Sequence, residues 1–230
     1  MTTLPPPATW TAFSILERSY LLARDNFAAF ITITLISAAV SVVVDVLGVP
    51  LLAMIVNLLA GAATTICLTW GSLQAMAGRA PAWEPMLRQL QGPLAGRLLA
   101  LGAFQWLLIG VSAFLVVPPF FLLPMWAVTI PAMMVERLDF GAAFQRSVDL
   151  TRYRRMAILG AFALWAVIFL VGATLIFALL GHGGLGRLVT IIYGAFAGTV
   201  LYPLPAILYV QLREEKEGAT VQRMASALDA

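Results

Sequence analysis

Four arginines lie within the segment RSVDLTRYRR at positions 146–155, and the uncharged run MAILGAFALWAVIFLV follows directly. A guanidinium group stays charged at physiological pH and can hold a phosphate through two parallel hydrogen bonds. Near an anionic membrane surface, each arginine contributes about 1 kcal/mol of attraction. The cluster indicates either anchoring to anionic lipid or recognition of a lipid headgroup. The arginines to which we assign this role are Arg18, Arg24, Arg146, Arg152, Arg154 and Arg155.

Residue types that enzymes use for catalysis are sparse. The chain has one histidine and one cysteine, Cys67, and its carboxylates form no cluster with metal-ligand spacing. Glu84 and Glu136 lie beside arginines, where salt bridges are the simpler interpretation. We therefore predict no catalytic residue, no metal site and no cofactor.

Three polar side chains lie inside apolar segments and indicate a second kind of chemistry. Asp45 is the only acid within such a segment, three residues before Gly48, and Asn57 and Gln105 lie in the next two. A carboxylate inside a bilayer is costly and often functional, so the three could line a path for an ion or solute. The alternative is that Asp45 reaches water at the membrane edge and the amides bond between helices.

The composition of the chain indicates a membrane protein. The chain is 61% hydrophobic and 11% charged, with a mean hydropathy of +0.94, whereas a soluble domain has roughly 45–50% apolar and 25% charged residues. The net charge of +3 is concentrated at the borders of apolar runs, which favours lipid headgroups over nucleic acid as the partner. We predict an all-α, polytopic membrane protein.

Six apolar segments are long enough to be candidates for crossing the bilayer, which takes about 20 helical residues. Pro124 and Pro131 predict that the fourth is kinked, tilted or partly re-entrant. The segments are Phe27–Leu47, Leu51–Met76, Leu98–Val117, Phe120–Val135, Met156–Leu180 and Leu188–Leu212.

The distribution of Lys and Arg predicts the orientation. Of the 14 basic residues, Arg187 alone falls in a connection that six spans place on the outer side, and the other 13 share the opposite side. Basic residues accumulate on the cytoplasmic side of membrane proteins. We therefore expect a multi-pass protein of the bacterial inner membrane with both termini in the cytoplasm.

The connections on the basic side contain amphipathic stretches. We expect interfacial helices at 10–26, 83–97 and 139–155, and a short cytoplasmic tail at 213–230, all within one domain, 1–230. RSYLLAR (18–24) and RSVDLTR (146–152) share four of seven positions, and each precedes a span. The pattern predicts a unit of interfacial helix, span, outer turn and span that occurs three times.

One longer stretch has the features of a known family signature. Residues 117–160 contain Pro118, Pro131, Glu136, Gly141-Ala142-Ala143, Arg146-Ser147 and Leu150-Thr151 in order, and SILERSYLLARDNFAAFITI (14–33) also fits. This resembles the glycerophosphodiester phosphodiesterase membrane domain and related bacterial inner-membrane proteins. The resemblance implies six spans. The phosphodiesterase of fused members is a separate soluble barrel, so the resemblance does not extend that activity to this chain.

Three functions remain open. The leading hypothesis is a non-enzymatic protein that organises or handles anionic phospholipid at the cytoplasmic leaflet. The alternatives are a small transporter or channel that uses Asp45, Asn57 and Gln105, and a membrane enzyme acting on phospholipid. The motif GAFAG places Gly194 and Gly198 four residues apart, which permits close helix packing, either within the chain or in a homodimer or with a partner membrane protein.

Overall fold

The computed structural model describes residues 10–113, 117–181 and 183–228, and every regular element in these ranges is helical. The all-α class is confirmed. Several helices are apolar and long enough to cross a bilayer, as in an integral membrane protein. The predicted single domain also includes residues 1–9, 114–116, 182 and 229–230, which lie outside the described residues.

The helices are numbered in chain order, and a short 3-10 turn, Gln89–Gln91, follows the fourth. They are α1 (Ala12–Asp25), α2 (Phe27–Val46), α3 (Pro50–Met76), α4 (Trp83–Arg88), α5 (Ala95–Ala113), α6 (Val117–Trp126), α7 (Thr129–Glu136), α8 (Phe140–Thr151), α9 (Arg155–Leu180), α10 (Gly184–Leu201), α11 (Leu204–Glu217) and α12 (Val221–Ser226).

Four of the six predicted spans are long apolar helices. They are α2, α3, α9 and the combined segment Gly184–Glu217, formed by α10 and α11. The predicted span Leu98–Val117 corresponds to α5, which is joined to α4 through a bend of 94° and counts as a fifth if the bent pair is one span. The predicted span Phe120–Val135 corresponds to the shorter apolar stretch Phe120–Glu136, formed by α6 and α7.

Two of these segments are broken near their basic ends. The helix stops at residues 127–128 between α6 and α7, and at 202–203 between α10 and α11. Pro131 and Pro205 lie in the first turn of the second helix of each pair, where a missing backbone donor is tolerated. The sequence predicts a kink in the fourth segment from its prolines, and the structure shows an interruption in that segment.

The long helices pack as three hairpins arranged in a ring. The hairpins are α2 with α3, α5 with α6, and α9 with α10. The second helix of each also packs against the first helix of the next: α3 against α5, α6 against α9, and α10 against α2. Phe30, Ile66 and Leu101 are fully buried where these helices meet.

Three shorter helices each pack on the basic end of one hairpin. α1 packs on α9, α10 and α11, α4 on α3, and α8 on α6 and α7. The α4 contact depends on Gly71, because a Cβ at that position would lie 2.7 Å from the Met86 methyl carbon. Complete burial of a methionine contributes about 1.5–3 kcal/mol, so the α4 contact fixes the start of the second hairpin.

One expectation for the connections needs correction. The predicted helix 83–97 is not continuous: it ends at Arg88, and α5 begins at Ala95. Gly92 is extended and Pro93 disfavours helical geometry before it, so the chain bends there. The tail 213–230 begins inside α11, ends that helix at the left-handed Gly218, and then forms α12, where Met224 is only 1% exposed.

Candidate functional site

Five side chains from three helices form a polar cluster at the basic end of the bundle. Arg146 Nε on α8 donates to both carboxylate oxygens of Glu136 on α7, at 3.0 Å each. The Arg146 Nη2 atom also pairs with Glu217 on α11. Arg213 Nε donates to Glu217 at 2.8 Å, and the Tyr209 hydroxyl donates to Glu136 at 2.9 Å. The cluster joins α7, α8 and α11.

The charges of this cluster compensate one another. Arg146 and Arg213 face Glu136 and Glu217, so the four groups sum to zero. Burial by itself would lower the pKa of Arg146, but its hydrogen bonds to Glu217 and Glu136 outweigh burial and raise that pKa. Arg146 therefore pairs with carboxylates of the protein. The structure places it in a contact between α7, α8 and α11, and its predicted contact with a lipid headgroup stays a prediction.

Arg154 and Arg155 also contact the protein. Arg154 pairs with Glu215 of α11, and its guanidinium carbon lies 5.0 Å from the centre of the Trp10 ring. Arg155 donates weakly to the Val148 carbonyl at 3.4 Å, and its buried Nε has no partner among the described residues. Both side chains connect the start of α9 to neighbouring elements.

Arg18 is buried within the protein, with only 9% of its surface exposed. Burial lowers its pKa, and the charges of Glu214 and Glu17 partly offset this effect. The next residue, Ser19, is fully buried and donates to the Val200 carbonyl near the end of α10. The pair 18–19 therefore attaches α1 to the last hairpin.

Arg24 and Arg152 are the two members of the predicted set that face outward. The Arg24 side chain is 57% exposed and pairs with its neighbour Asp25 at 3.0 Å. Arg152 is exposed at the end of α8, with its guanidinium carbon 5.7 Å from the centre of the Tyr153 ring. Arg24 and Arg152 are therefore the members of the predicted set that are most accessible from outside the protein.

The three predicted intramembrane polar residues do not form one site. Asn57 Nδ2 lies 3.5 Å from Asp45 Oδ1, near the turn that joins α2 to α3. Gln105 Nε2 donates to the Trp126 carbonyl at 2.9 Å, beside the break between α6 and α7. Thr65, which shares a cavity with Gln105, lies eight residues along α3 from Asn57, or about 12 Å of helix.

A central cavity lies where the hairpins meet. Its volume is about 230 Å³, and its lining is mostly apolar. It adjoins both helix breaks, because Ala127 from the first and Tyr202 from the second line it. Further lining residues include Gln105 and Trp106 on α5 and Phe162, Trp165 and Ala166 on α9.

A lateral groove of about 540 Å³ lies between α9 and α10, with α1 at one end. Three aromatic rings form one wall: Trp165 stacks on Phe169 with centroids 5.2 Å apart, and Phe169 stacks on Tyr193 at 5.5 Å. A Cβ at position 172 would lie 2.2 Å from the Tyr193 hydroxyl oxygen, so glycine there lets the ring approach α9. The α1 contribution comprises Phe13, Leu16, Glu17 and Tyr20.

The two glycines of GAFAG have different surroundings. A Cβ on Gly198 would lie 3.1 Å from the Tyr202 ring and 3.5 Å from Thr34 of α2, so this glycine serves packing within the chain. A Cβ on Gly194 would meet nothing within 4 Å. The motif therefore has one internal position and one open position.

Neither the groove nor the cavity was identified from the sequence. The spacing of Trp165 and Phe169 places both on one face of α9, which is the one signal available. In a helix that is apolar on every side, such a stripe does not indicate which face meets another helix.

Comparisons with protein-family models, with curated proteins and with solved structures find no match for this chain. Among the described residues, no group of three or more His, Cys, Asp or Glu side chains could hold a metal ion. The basis for a functional assignment is therefore the geometry of the polar cluster, the cavity and the groove.

Proposed function

We propose that this chain is a non-enzymatic protein of the bacterial inner membrane that binds and handles anionic phospholipid at the cytoplasmic leaflet. The observation that carries the proposal is the lateral groove. It is apolar, it runs between two helices that can span the bilayer, and an amphipathic helix lies across one end. A groove of this composition fits an acyl chain of a lipid whose headgroup stays at the interface.

The outward face of α1 supports a headgroup position at that end. Phe13, Glu17, Tyr20 and Arg24 recur at spacings of three and four residues, and all four are exposed. The first three line the groove, so Arg24 follows on the same face where a phosphate would lie. Arg18, within electrostatic reach of Glu17, reduces the repulsion between that carboxylate and an anionic headgroup.

We further propose six spans, both termini in the cytoplasm and a threefold repeat. Each unit is one short helix followed by one hairpin: α1 with α2 and α3, α4 with α5 to α7, and α8 with α9 to α11. The closed ring of three hairpins supports this division. So does the position of the short helices, because each packs on the second span of the preceding unit around the ring.

The relationship to the glycerophosphodiester phosphodiesterase membrane domain stays a proposal as well. Its support is that residues of the resembling signature contact one another. Arg146 pairs with Glu136, and Ser147 and Thr151 both reach the Met125 carbonyl, at 2.8 and 3.5 Å. A signature that forms an interhelical contact is expected of a shared fold and gives no support for phosphodiesterase activity.

Transport of a small solute is the second candidate, and one observation favours it. The central cavity adjoins two helix breaks, and substrate sites of transporters are often built from interrupted helices. Among the described residues, no charged side chain lines this cavity, and Asp45 and Asn57 are not among its walls. An apolar ligand fits these walls better than an ion does, so we favour lipid.

Native mass spectrometry on protein released from a mild detergent tests the proposal. We expect stoichiometric anionic phospholipid on the wild type and its loss in Ile168→Trp, which fills the groove. Leu175→Trp is the matched control, because Leu175 is exposed on the same helix outside the groove. Retention of the lipid by Ile168→Trp would refute the groove as the binding site.

The headgroup contact has its own test. Arg24→Gln and Arg152→Gln remove exposed charges without removing an interhelical ion pair, whereas Arg154→Gln would also break the contact with Glu215. We expect the double variant to lose preference for anionic over zwitterionic phospholipid. Arg187→Gln, on the opposite side of the predicted topology, is the control. An unchanged preference for anionic phospholipid would mean that these arginines only anchor the protein at the membrane surface.

A further inference from the structure

The lateral groove has a single charged side chain among its described lining residues, and that charge is negative. Glu17 of α1 lines the groove at its α1 end and is exposed. No Lys or Arg is among the described lining residues, so the groove itself offers an anionic headgroup no counter-charge. A carboxylate in this position is complementary to a positively charged group on the ligand.

The polar groups of the α9–α10 wall are already used by the protein. Trp165 Nε1 donates to the Ala197 carbonyl at 3.2 Å. The Tyr193 hydroxyl donates to the Ile168 carbonyl at 3.1 Å. The other lining residues of α9 and α10 are apolar. A phospholipid in the groove would therefore place its acyl chain between α9 and α10 and its headgroup at α1.

Arg18 compensates the charge of Glu17 only in part. The electrostatic effect of Glu214 on Arg18 exceeds that of Glu17. Arg18 is also buried and is not among the lining residues of the groove, whereas Glu17 is exposed and lines it. The Glu17 carboxylate is therefore accessible to a ligand that lies in the groove.

Two aromatic side chains flank this carboxylate along α1. Phe13 lies one turn before Glu17 and Tyr20 one turn after it, and the two residues are 67% and 48% exposed. An ammonium group is attracted to the face of an aromatic ring within about 6 Å of its centre. The N–H groups of an ammonium also donate to a carboxylate. The three side chains therefore fit a primary ammonium better than they fit a phosphate.

We propose that the lateral groove selects a phospholipid whose headgroup carries a primary ammonium in addition to its phosphate. The ammonium donates to Glu17 between Phe13 and Tyr20. The phosphate lies toward Arg24, which follows Glu17 by seven residues on the same face of α1, or about 10 Å of helix. This inference rests on the proposed function, because the groove must hold an acyl chain. It adds that an anionic phospholipid with an amine, such as phosphatidylserine, binds more tightly than one without, such as phosphatidylglycerol.

Competition between these two lipids tests the amine separately from the net charge, because both carry the same net charge. Phosphatidylserine and phosphatidylglycerol with identical acyl chains are added in equal amounts to delipidated wild-type protein in a mild detergent. Native mass spectrometry measures how much of each lipid is bound. We expect about three- to fivefold more phosphatidylserine, the effect of one exposed ion pair. Equal binding, or a preference for phosphatidylglycerol, would overturn the proposal.

Glu17→Gln identifies the group that causes the preference. The substitution keeps the size of the side chain and removes its charge, so the variant should bind the two lipids equally. Glu84→Gln is the matched control, because Glu84 is exposed on α4 outside the groove, and it should keep the preference. A preference that survives Glu17→Gln would mean that the protein recognises the carboxylate of the serine headgroup, and it would overturn the role of Glu17.

The groove variant Ile168→Trp separates this inference from the proposed function. It should lose both lipids, because the acyl chain has the same site whichever headgroup it carries. Equal binding of the two lipids by the wild type, with loss of both in Ile168→Trp, would refute this inference and leave the proposed function standing. Retention of both lipids by Ile168→Trp would refute both proposals.

Discussion

The Ser147 hydroxyl donates to the carbonyl oxygen of Met125 at 2.8 Å, just before the helix breaks between α6 and α7. The same relationship recurs at the other break, where Ser19 of α1 donates to the Val200 carbonyl. Both serines are fully buried and both follow an arginine that faces a carboxylate of the protein. The Arg-Ser pair of the predicted repeat thus attaches a short helix to an interrupted span.

Removing these hydroxyls should destabilise the bundle. A buried carbonyl that loses its donor costs about 1–3 kcal/mol, so we predict that Ser19→Ala and Ser147→Ala each lower the free energy of unfolding by about that amount. Titration with SDS in mixed micelles measures it. Ser41→Ala is the control, because the Ser41 hydroxyl bonds to the Ser37 carbonyl within its own helix. A loss no larger than that of the control would contradict the role of the serines.

A substitution in the polar cluster should lower the free energy of unfolding more than a substitution in the exposed ion pair. Glu136 accepts from Arg146 and Tyr209 and lies 3.6 Å from Arg213. Glu136→Gln leaves two guanidinium groups without that carboxylate, and we predict a loss of about 2–4 kcal/mol. Glu215→Gln breaks only the pair with Arg154, where both side chains are more than a third exposed, and should cost at most about 1 kcal/mol.

The same SDS titration distinguishes these two variants. The double variant Glu136→Gln with Arg146→Gln provides a further check, because removing both partners relieves the uncompensated charge. It should recover part of the stability lost in Glu136→Gln. Additive losses would mean that the two side chains do not interact in the membrane.

Substitutions at the two glycines of GAFAG should distinguish packing within the chain from association between chains. A side chain at position 198 meets Tyr202 and Thr34, whereas one at position 194 meets nothing within 4 Å. Gly198→Leu should therefore lower stability by about 1–3 kcal/mol, and Gly194→Leu should leave it unchanged. We predict that the open position lies in the homodimer contact. Gly194→Leu should then lower the protein mass found by light scattering, and an unchanged mass would exclude this face.

Hydropathy and charge spacing predicted the long helices well, because a span is a local property of about 20 residues. They could not predict which carboxylate each arginine meets. Arg146 and Glu217 form a pair although 71 residues separate them in sequence. The sequence therefore did not indicate that Arg146 and Arg154 pair with carboxylates of α7 and α11, and their headgroup contacts stay a prediction. The groove escaped prediction because it depends on the packing of three apolar surfaces.

The number of spans can be measured with single cysteines. Cys67 is only 1% exposed and should stay unlabelled in intact cells, so it need not be removed. Val49 lies in the turn between α2 and α3, which is predicted to be outside, and Phe120, 54% exposed, lies near the start of α6. If α5 and the α6–α7 pair both cross the membrane, Val49→Cys and Phe120→Cys will react with an impermeant maleimide added outside. Ala80→Cys, on the predicted cytoplasmic side, should react only after permeabilisation.

Phe120→Cys is the position that discriminates between the two topologies. Four spans formed by α2, α3, α9 and the α10–α11 pair would also expose Val49 outside and Ala80 inside, since α5 to α7 would then return to the cytoplasmic face. Reaction at Phe120 from outside requires that α5 has crossed and that α6–α7 crosses back. Labelling at Phe120 only after permeabilisation would refute six spans and would reduce the ring to two membrane-crossing hairpins beside a re-entrant one.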